Sequence, residues 1–280
     1  MHAQRERHSV SLMCKYLNVS KAGYYAWRRR KQSSRREADA DLLRSIRRVH
    51  TQSQARYGQP RIRAELRDQG IIASGKRIAR IMRFAGIKGK KRRHSKATSS
   101  SPGTIPAAPN VLNRQFAVSQ PNRAWVTDIT YFPTKEGWLY LAVVIDCYSR
   151  RVVGWSMDSH INAALAIRAL AMALRSRPYH DLVLHSDRGS QFACRDYAQF
   201  LVNCGITASM SRKGNCWDNA VAESFFASIK VEIKPETVWS TRAEGRTAIF
   251  EYIEMWYNPR RRHSTNGYLS PVAYENQSVT

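Results

Sequence analysis

Apolar residues recur at helical spacing over Val10, Met13 and Leu17 in SVSLMCKYL, and Asn18-Val19-Ser20 breaks that rhythm. The pattern predicts a helix, a tight turn and a second helix capped by Ser20, ending in Trp27 and the run Arg28, Arg29, Arg30, Lys31. A similar pair is expected after Tyr57-Gly58-Gln59-Pro60. There Pro60 opens a helix carrying Ile62 and Leu66, Gly70 turns the chain, and Ser74 caps Gly75 to Phe84. That last helix carries Lys76, Arg77, Arg80 and Arg83 on its polar side. Both pairs read as helix-turn-helix-like units with a basic second helix, a form suited to a nucleic-acid groove and its phosphates.

From Lys88 to about Asn122 the periodicity disappears into a stretch rich in Lys, Arg, Ser and Pro, which reads as a basic flexible linker. Beyond it, strands are predicted over Trp125 to Phe132, Leu139 to Tyr148, Val152 to Met157, Leu182 to Ser186 and Thr207 to Met210. Helices are predicted over Asn162 to Arg177, Cys194 to Cys204, Asn219 to Lys230 and Arg242 to Tyr257. Three strands, then helix, strand, helix, strand, helix imply an α/β mixed sheet flanked by helices, an order that matches a ribonuclease-H-like fold. The expected domains are a helix-turn-helix-like segment (1–35), a second such module (36–87), the linker (88–120) and the α/β domain with a C-terminal helical extension (121–280).

Charge sharpens this division. The formal net charge is +25, and residues 1–100 hold 27 Lys+Arg against 6 Asp+Glu, whereas residues 101–280 hold 19 against 15. Clustered basicity favours a polyphosphate partner through counterion release, and an enzyme of small substrates has no need of it. The five cysteines are scattered without a C-x-x-C or paired His-x-x-x-His zinc spacing, which reads as free thiols in a reducing compartment. The N-terminus lacks an apolar signal core, and the most apolar run, Leu139 to Ile145, stops at Asp146. A soluble cytoplasmic protein with no membrane partner is expected.

Three acids stand out. Asp128 lies inside the strand reading WVTDITYF, where a desolvated carboxylate is costly unless a cation offsets it. Asp187 follows the apolar strand LVLHS, at the carboxyl end where ligand sites of open α/β sheets gather. Glu223 sits on the amphipathic helix NAVAESFFASIK, two turns before Lys230 on a common face. Singly, each has a structural reading: a turn hydrogen bond, a cap, a surface helix residue. Asp146 in VVIDCYSR is a rival buried acid, expected instead to pair with Arg150 or Arg151. All-oxygen ligation selects hard cations such as Mg²⁺ or Mn²⁺. Two such ions about 3.5 to 4 Å apart stabilise both attacking and leaving oxygens of an in-line phosphoryl displacement.

Along almost the whole chain these residues resemble bacterial insertion-sequence transposases of the family named after insertion sequence three, relatives of retroviral integrases. The resemblance is carried by WVTDITYF, HSDRGSQF and GNCWDNAVAESFFASIK, with 35 residues between Asp187 and Glu223 and Lys230 seven beyond Glu223. RYGQPRIRAEL and YNPRRRHSTNGYLSP also fit. It implies an integrase catalytic core in which Asp128, Asp187 and Glu223 hold two Mg²⁺ (or Mn²⁺) ions. Lys230 would contact the element end near the scissile phosphate. His185, Gln191, Trp217 and Asn219 would support the acids, and Arg261 and His263 would contact DNA, although each equally fits a packed structural side chain. With the N-terminal Arg28, Arg29, Arg30, Lys76, Arg77 and Arg80 and the linker's Lys90, Lys91, Arg92 and Arg93, they form the expected DNA-binding set.

The implied activity is cleavage and strand transfer at the ends of an insertion sequence, with water and then a DNA 3′-hydroxyl as nucleophile. The implied partners are double-stranded DNA (terminal inverted repeats and target), further copies of the chain on that DNA, and the first-frame protein of the same element. The chain resembles a second-frame product, and a nucleoid-associated location in a bacterial cytoplasm follows. A DNA-binding regulator or inactive relative, and a ribonuclease H-type nuclease, are the competing readings.

Overall fold

The computed structural model describes residues 1–29, 33–90, 106–212, 216–233 and 238–277, with the side chains of residues 216 and 217 outside that set. The chain divides into two compact units, Met1–Gly89 and Lys90–Thr280.

In the first unit, α1 (Val10–Tyr16) and α2 (Lys21–Arg29) form the expected pair. Ser9 Oγ accepts from the Leu12 amide at 3.3 Å and Ser20 Oγ from the Gly23 amide at 2.9 Å, satisfying donors that a helix start leaves free. A third helix, α3 (Ser34–Gln52), was not expected from the pattern. Its apolar stripe is just Leu42, Ile46 and Val49 amid charged neighbours, and it forms because that stripe is buried. It packs with α4 (Gln59–Asp68) and α5 (Gly75–Phe84), around Tyr57, Ile62, Leu66 and Ile78. Ser74 caps α5 as expected, accepting from the Arg77 amide at 3.2 Å.

The second unit is built on a five-stranded sheet: β1 (Ala124–Thr134), β2 (Gly137–Asp146), β3 (Val152–Asp158), β4 (Val183–Ser186) and β5 (Thr207–Met210). Strand order is β3-β2-β1-β4-β5, antiparallel among the first three and parallel across β1, β4 and β5. This is the ribonuclease-H-like α/β arrangement expected from the element order. Turn Lys135–Glu136 closes the first hairpin, with Gly137 at φ 108°, a backbone state that L side chains avoid. β4 pairs with β1 only over Ala124 to Val126, and Trp239 bridges Thr134 at the far end, so between these points the β4-side edge of β1 carries no strand pairing among the described residues.

One face of the sheet is covered by α6 (Ala163–Ser176), capped by Asn162, and by α7 (Arg195–Asn203). Close approach of α6 depends on Gly154 in β3, where an added Cβ would stand 2.2 Å from the Ala169 carbonyl oxygen. Because backbone cannot yield as a side-chain tip does, Gly154→Ala should destabilise the second unit by about 2 kcal/mol or more, read from its urea midpoint. A midpoint equal to wild type would mean that α6 can shift freely.

The other face carries α8 (Ala220–Glu232) and α9 (Arg242–Phe250), the latter running on as a π-helical stretch, Glu251–Tyr257. A final helix, α10 (Pro271–Gln277), lies in the segment left unassigned by periodicity. Glu275 within it receives Arg151 at 2.7 Å, Ser149 at 2.7 Å and Arg177. Residues 106–120, expected within the linker, run over the second unit: Leu112 is buried and its amide donates to Ser209 Oγ at 3.1 Å. The linker's remaining residues 91–105 lie outside the described set.

Asp146 requires a correction. Its carboxylate is fully buried, but it accepts from the backbone amides of Asn122 (2.9 Å) and Tyr148 (2.8 Å), not from Arg150 or Arg151. Arg151 is turned to Glu275 instead. Burial pushes Asp146 up to about 6 despite those two donors. No helix among the described residues is long and apolar enough to cross a membrane.

Candidate active site

Parallel pairing of β1 with β4 sets the first two acids side by side. Asp128 lies two residues beyond the last β1–β4 rung, at Val126↔His185, and Asp187 is the first residue past β4. Both are part-buried. Asp128 Oδ1 accepts from the Ile129 amide at 2.7 Å, and Asp187 Oδ1 from the Gly189 amide at 2.8 Å. The second oxygen of each carboxylate accepts no hydrogen bond from the described residues. Burial, and then the negative charge of Asp187, hold the proton affinity of Asp128 well above the ordinary carboxylate range; Glu223 adds to the effect and Lys230 opposes it. Burial raises Asp187 as well.

Glu223 stands in the first turn of α8 with its side chain toward solvent. It shares the field at Asp128. Among the described residues, no three His, Cys, Asp or Glu side chains already converge as a ligand set for one ion. The arrangement is a tight aspartate pair with a third acid at its rim. Lys230, two turns along α8, places Nζ 5.2 Å from the Tyr131 ring centre. Burial lowers its proton affinity while Asp128 raises it.

The residues around the acids are mostly scaffolding. His185 is fully buried between Ser209 Oγ (2.8 Å) and Ser211 Oγ (3.1 Å), and desolvation lowers it to about 4, so it is neutral and ties β4 to β5 just before Asp187. The Gln191 side chain lies against Gly189, whose amide holds Asp187; an added Cβ there would meet its Nε2 at 2.2 Å. Asn219 is buried and its Nδ2 lies 3.4 Å from the Thr127 carbonyl, tying the start of α8 to the strand beside Asp128. The side chain of Trp217 is outside the described set.

Asp218 was not singled out from sequence, yet it organises this region. It is fully buried and accepts from Arg212 (2.9 Å), Arg114 (2.7 Å) and Asn110 (2.9 Å), and the arginines hold it well below the usual carboxylate range. Those partners lie up to about a hundred residues away, so a local reading sees only an acid ahead of a helix.

The expected DNA-contact set is divided. Arg28, Arg29 and Lys76 are exposed on α2 and α5. Arg77 and Arg80 converge on Asp39 at 2.7 and 2.6 Å, which spends part of their charge within the unit. Lys90 donates to the Glu232 carbonyl at 2.8 Å. Arg30, Lys91, Arg92 and Arg93 lie outside the described residues. Arg261 takes the packed alternative that its sequence left open: its guanidinium is buried against Glu232 at 2.7 Å and stacks 5.7 Å from the Tyr257 ring centre. His263 packs edge-on to the same ring at 5.0 Å.

Comparison with known proteins agrees with this architecture. Residues 118–216 and 223–279 match models described as integrase core domain, and residues 36–95 match an HTH-like domain. Among solved structures, the HTLV-2 integrase catalytic core in complex with magnesium superposes with a TM-score of 0.43 at 18% identity, covering 56% of this chain and 98% of that one. An uncharacterized 31 kDa protein of insertion element IS600 from Shigella sonnei is 42% identical over 94% of this chain and 97% of its own length. The transposase InsF for insertion sequence IS3A from Escherichia coli (strain K12) is 42% identical over 97% of this chain and 95% of its own. With relatives 42% identical over nearly the whole of both chains, and family models of the integrase core matching residues 118–216 and 223–279, this chain belongs to the InsF-type transposases of the IS3 insertion-sequence family.

Proposed function

We propose that this transposase cuts and joins DNA at the rim of β1 and β4, with Asp128, Asp187 and Glu223 as the ligands of divalent metal. The observation that carries the reading is the aspartate pair: two part-buried carboxylates, both costly to ionise through burial and Asp128 further through the charge of Asp187, each with one oxygen accepting nothing from the described residues. A cation removes that cost, and a set of three carboxylates suits Mg²⁺ or Mn²⁺. Two ions bound there would stabilise charge on the attacking and leaving oxygens of a phosphoryl transfer.

The chain's own groups divide the remaining work. The amides of Ile129 and Gly189 fix one oxygen of each aspartate, leaving the other for the cation. Glu223, exposed at the start of α8, completes the set by rotation of its side chain. Lys230 offers an ammonium to the phosphate beside the reacting one. In the cleavage step the oxygen of water bonds to phosphorus as the bond to the departing 3′-oxygen breaks; in the joining step a DNA 3′-hydroxyl takes the place of water. The HTH-like unit supplies DNA binding, with exposed Arg28, Arg29 and Lys76 toward phosphates. The substrates are the element's terminal repeats and a target duplex, met by several copies of the chain and by the first-frame protein in a bacterial cytoplasm at the nucleoid.

Chelation tests the metal assignment. Cleavage of a duplex carrying the element's ends should vanish in EDTA and return with Mg²⁺ or Mn²⁺. Added Mg²⁺ should also raise the thermal midpoint of the wild-type chain, an effect of about 1–3 kcal/mol at saturating ion that Asp128→Asn removes. Undiminished cleavage in EDTA would end the metal reading.

A further inference from the structure

The open edge of β1 that exposes Asp128 also exposes aromatic rings that the reaction as described leaves unused. Tyr131 and Trp138, 41% and 49% exposed, meet edge to face at 4.9 Å and 76° on adjacent strands. Tyr131 lies opposite Tyr140 and Trp138 opposite Pro133, so alternation puts both rings on one face of the hairpin end. Large rings left this exposed are costly to hydrate unless something covers them. Lys230 reaches past the unpaired edge of β1 to place its ammonium over the Tyr131 ring. Arg242 donates to the Trp138 carbonyl at 3.1 Å, and Lys135 is exposed in the turn between them. One acid, Glu136, shares the turn and accepts from the Arg242 amide at 2.8 Å, so with Lys135, Arg242 and Lys230 the surroundings are net cationic as well as aromatic.

We propose that Tyr131 and Trp138 form a stacking platform for an unpaired nucleobase at the DNA end. Trp138 offers the open ring, and Tyr131 positions Lys230 on the neighbouring phosphate. The inference rests on the proposed site at Asp128 and Asp187: Tyr131 lies three residues along the extended strand from Asp128, about 10 Å away and on the opposite face, and Lys230 joins the two around the strand edge, its ammonium over the Tyr131 ring and its charge felt at Asp128. A DNA end engaged by the acids comes within reach of this surface around that edge. Duplex DNA hides the faces of its bases, so the platform selects a base that has left the stack. Cations flanking exposed rings favour a polyanion with flat faces over an apolar protein surface.

The test uses the full chain in EDTA, so that no cleavage intervenes. The probes are a fully paired duplex and the same duplex with a three-nucleotide single-stranded tail carrying 2-aminopurine. Wild type should bind the tailed duplex about five- to a hundredfold more tightly than the paired one, with the tail's fluorescence quenched on binding. Trp138→Leu should remove that preference and the quenching while leaving affinity for the paired duplex within about twofold, and Trp138→Phe should restore part of both. Tyr131→Leu should weaken tail binding and flatten the contribution of Lys230, so that Lys230→Gln adds little in that background. Equal affinity for both probes in wild type, or equal losses on both in Trp138→Leu, would overturn the platform. So would a change in sedimenting mass without a change in tail preference, which would mark the rings as an interface between copies. Should Trp138→Leu not fold, the quenching and affinity of Trp138→Phe decide the matter. Asp128→Asn separates the two readings: it should bind the tail normally in EDTA yet fail to cleave in Mg²⁺, and normal cleavage would sink the metal site while leaving the platform standing.

Discussion

Asp128→Asn and Asp187→Asn should each lower DNA cleavage and strand transfer on the order of a thousandfold or more, while leaving the metal-free chain, melted in EDTA, at least as stable as wild type. The two halves of this expectation share one cause. Both carboxylates are held above their ordinary proton affinity by burial, and Asp128 additionally by the charge of Asp187. Asparagine keeps the shape and the hydrogen bond from Ile129 or Gly189 but removes the charge, so repulsion in the folded state falls. A cation loses its anionic ligand at the same stroke. Activity and stability thus move in opposite directions, as at sites where strain serves function. Glu223→Gln should match the loss of activity without the gain in stability, because its side chain is exposed. Asp146→Asn is the counterpart control. It replaces a carboxylate that accepts two backbone amides, so stability should fall while cleavage per folded molecule holds. Cleavage of an end-bearing duplex alongside thermal melting measures all four, and wild-type cleavage by either aspartate variant would remove the acids from the chemistry.

Arg261→Met should destabilise the second unit by about 3–5 kcal/mol, a large share of what a typical domain possesses. Arg261 and Glu232 are each 5% exposed at their side chains and paired at 2.7 Å, and Trp256 Nε1 and the Tyr252 hydroxyl also donate to the carboxylate. Removing the guanidinium leaves Glu232 charged and desolvated between two aromatic residues. A partner change should recover much of the loss: Arg261→Met with Glu232→Gln is expected to be more stable than the single variant, a coupling that a double-mutant cycle reads directly. Denaturant midpoints supply the numbers. Affinity for DNA per folded molecule should be unchanged, whereas a phosphate-binding arginine would show a shallower salt dependence when removed. A loss below about 1 kcal/mol accompanied by that shallower slope would return Arg261 to the DNA interface.

Local chemistry made much of this molecule legible in advance. Ser20 and Ser74 cap helices where expected, and Asn162 caps the helix predicted to begin at it, because a short side-chain oxygen next to an apolar period satisfies amides that no distant residue needs to supply. The five strands follow from alternation and β-branched content, since a strand with one face on a core must keep its period of two. Asp128 and Asp187 could be singled out because an acid in or just beyond an apolar strand is costly wherever the strand goes. Elsewhere the local signal was weak. Helix α3 hides its stripe of Leu42, Ile46 and Val49 among charges, and α10 is too short for periodicity to register.

What the amino-acid order determined alone, then, is the succession of elements, the basic first unit and the identity of the costly acids, all properties of near neighbours. Which charge meets which was decided only when the chain closed. Arg261 chose Glu232 over solvent, Asp146 took amides over arginines, Arg77 and Arg80 took Asp39, and Asp218 gathered partners from about a hundred residues upstream. A charged side chain pairs with whatever packing brings within a few ångströms in a low-dielectric setting, and that distance is a property of the tertiary fold. The open edge of β1 belongs to the same class: it exists because β4 ends early, and Lys230 spans it, its ammonium over the Tyr131 ring and its charge felt at Asp128 on the other face of the strand.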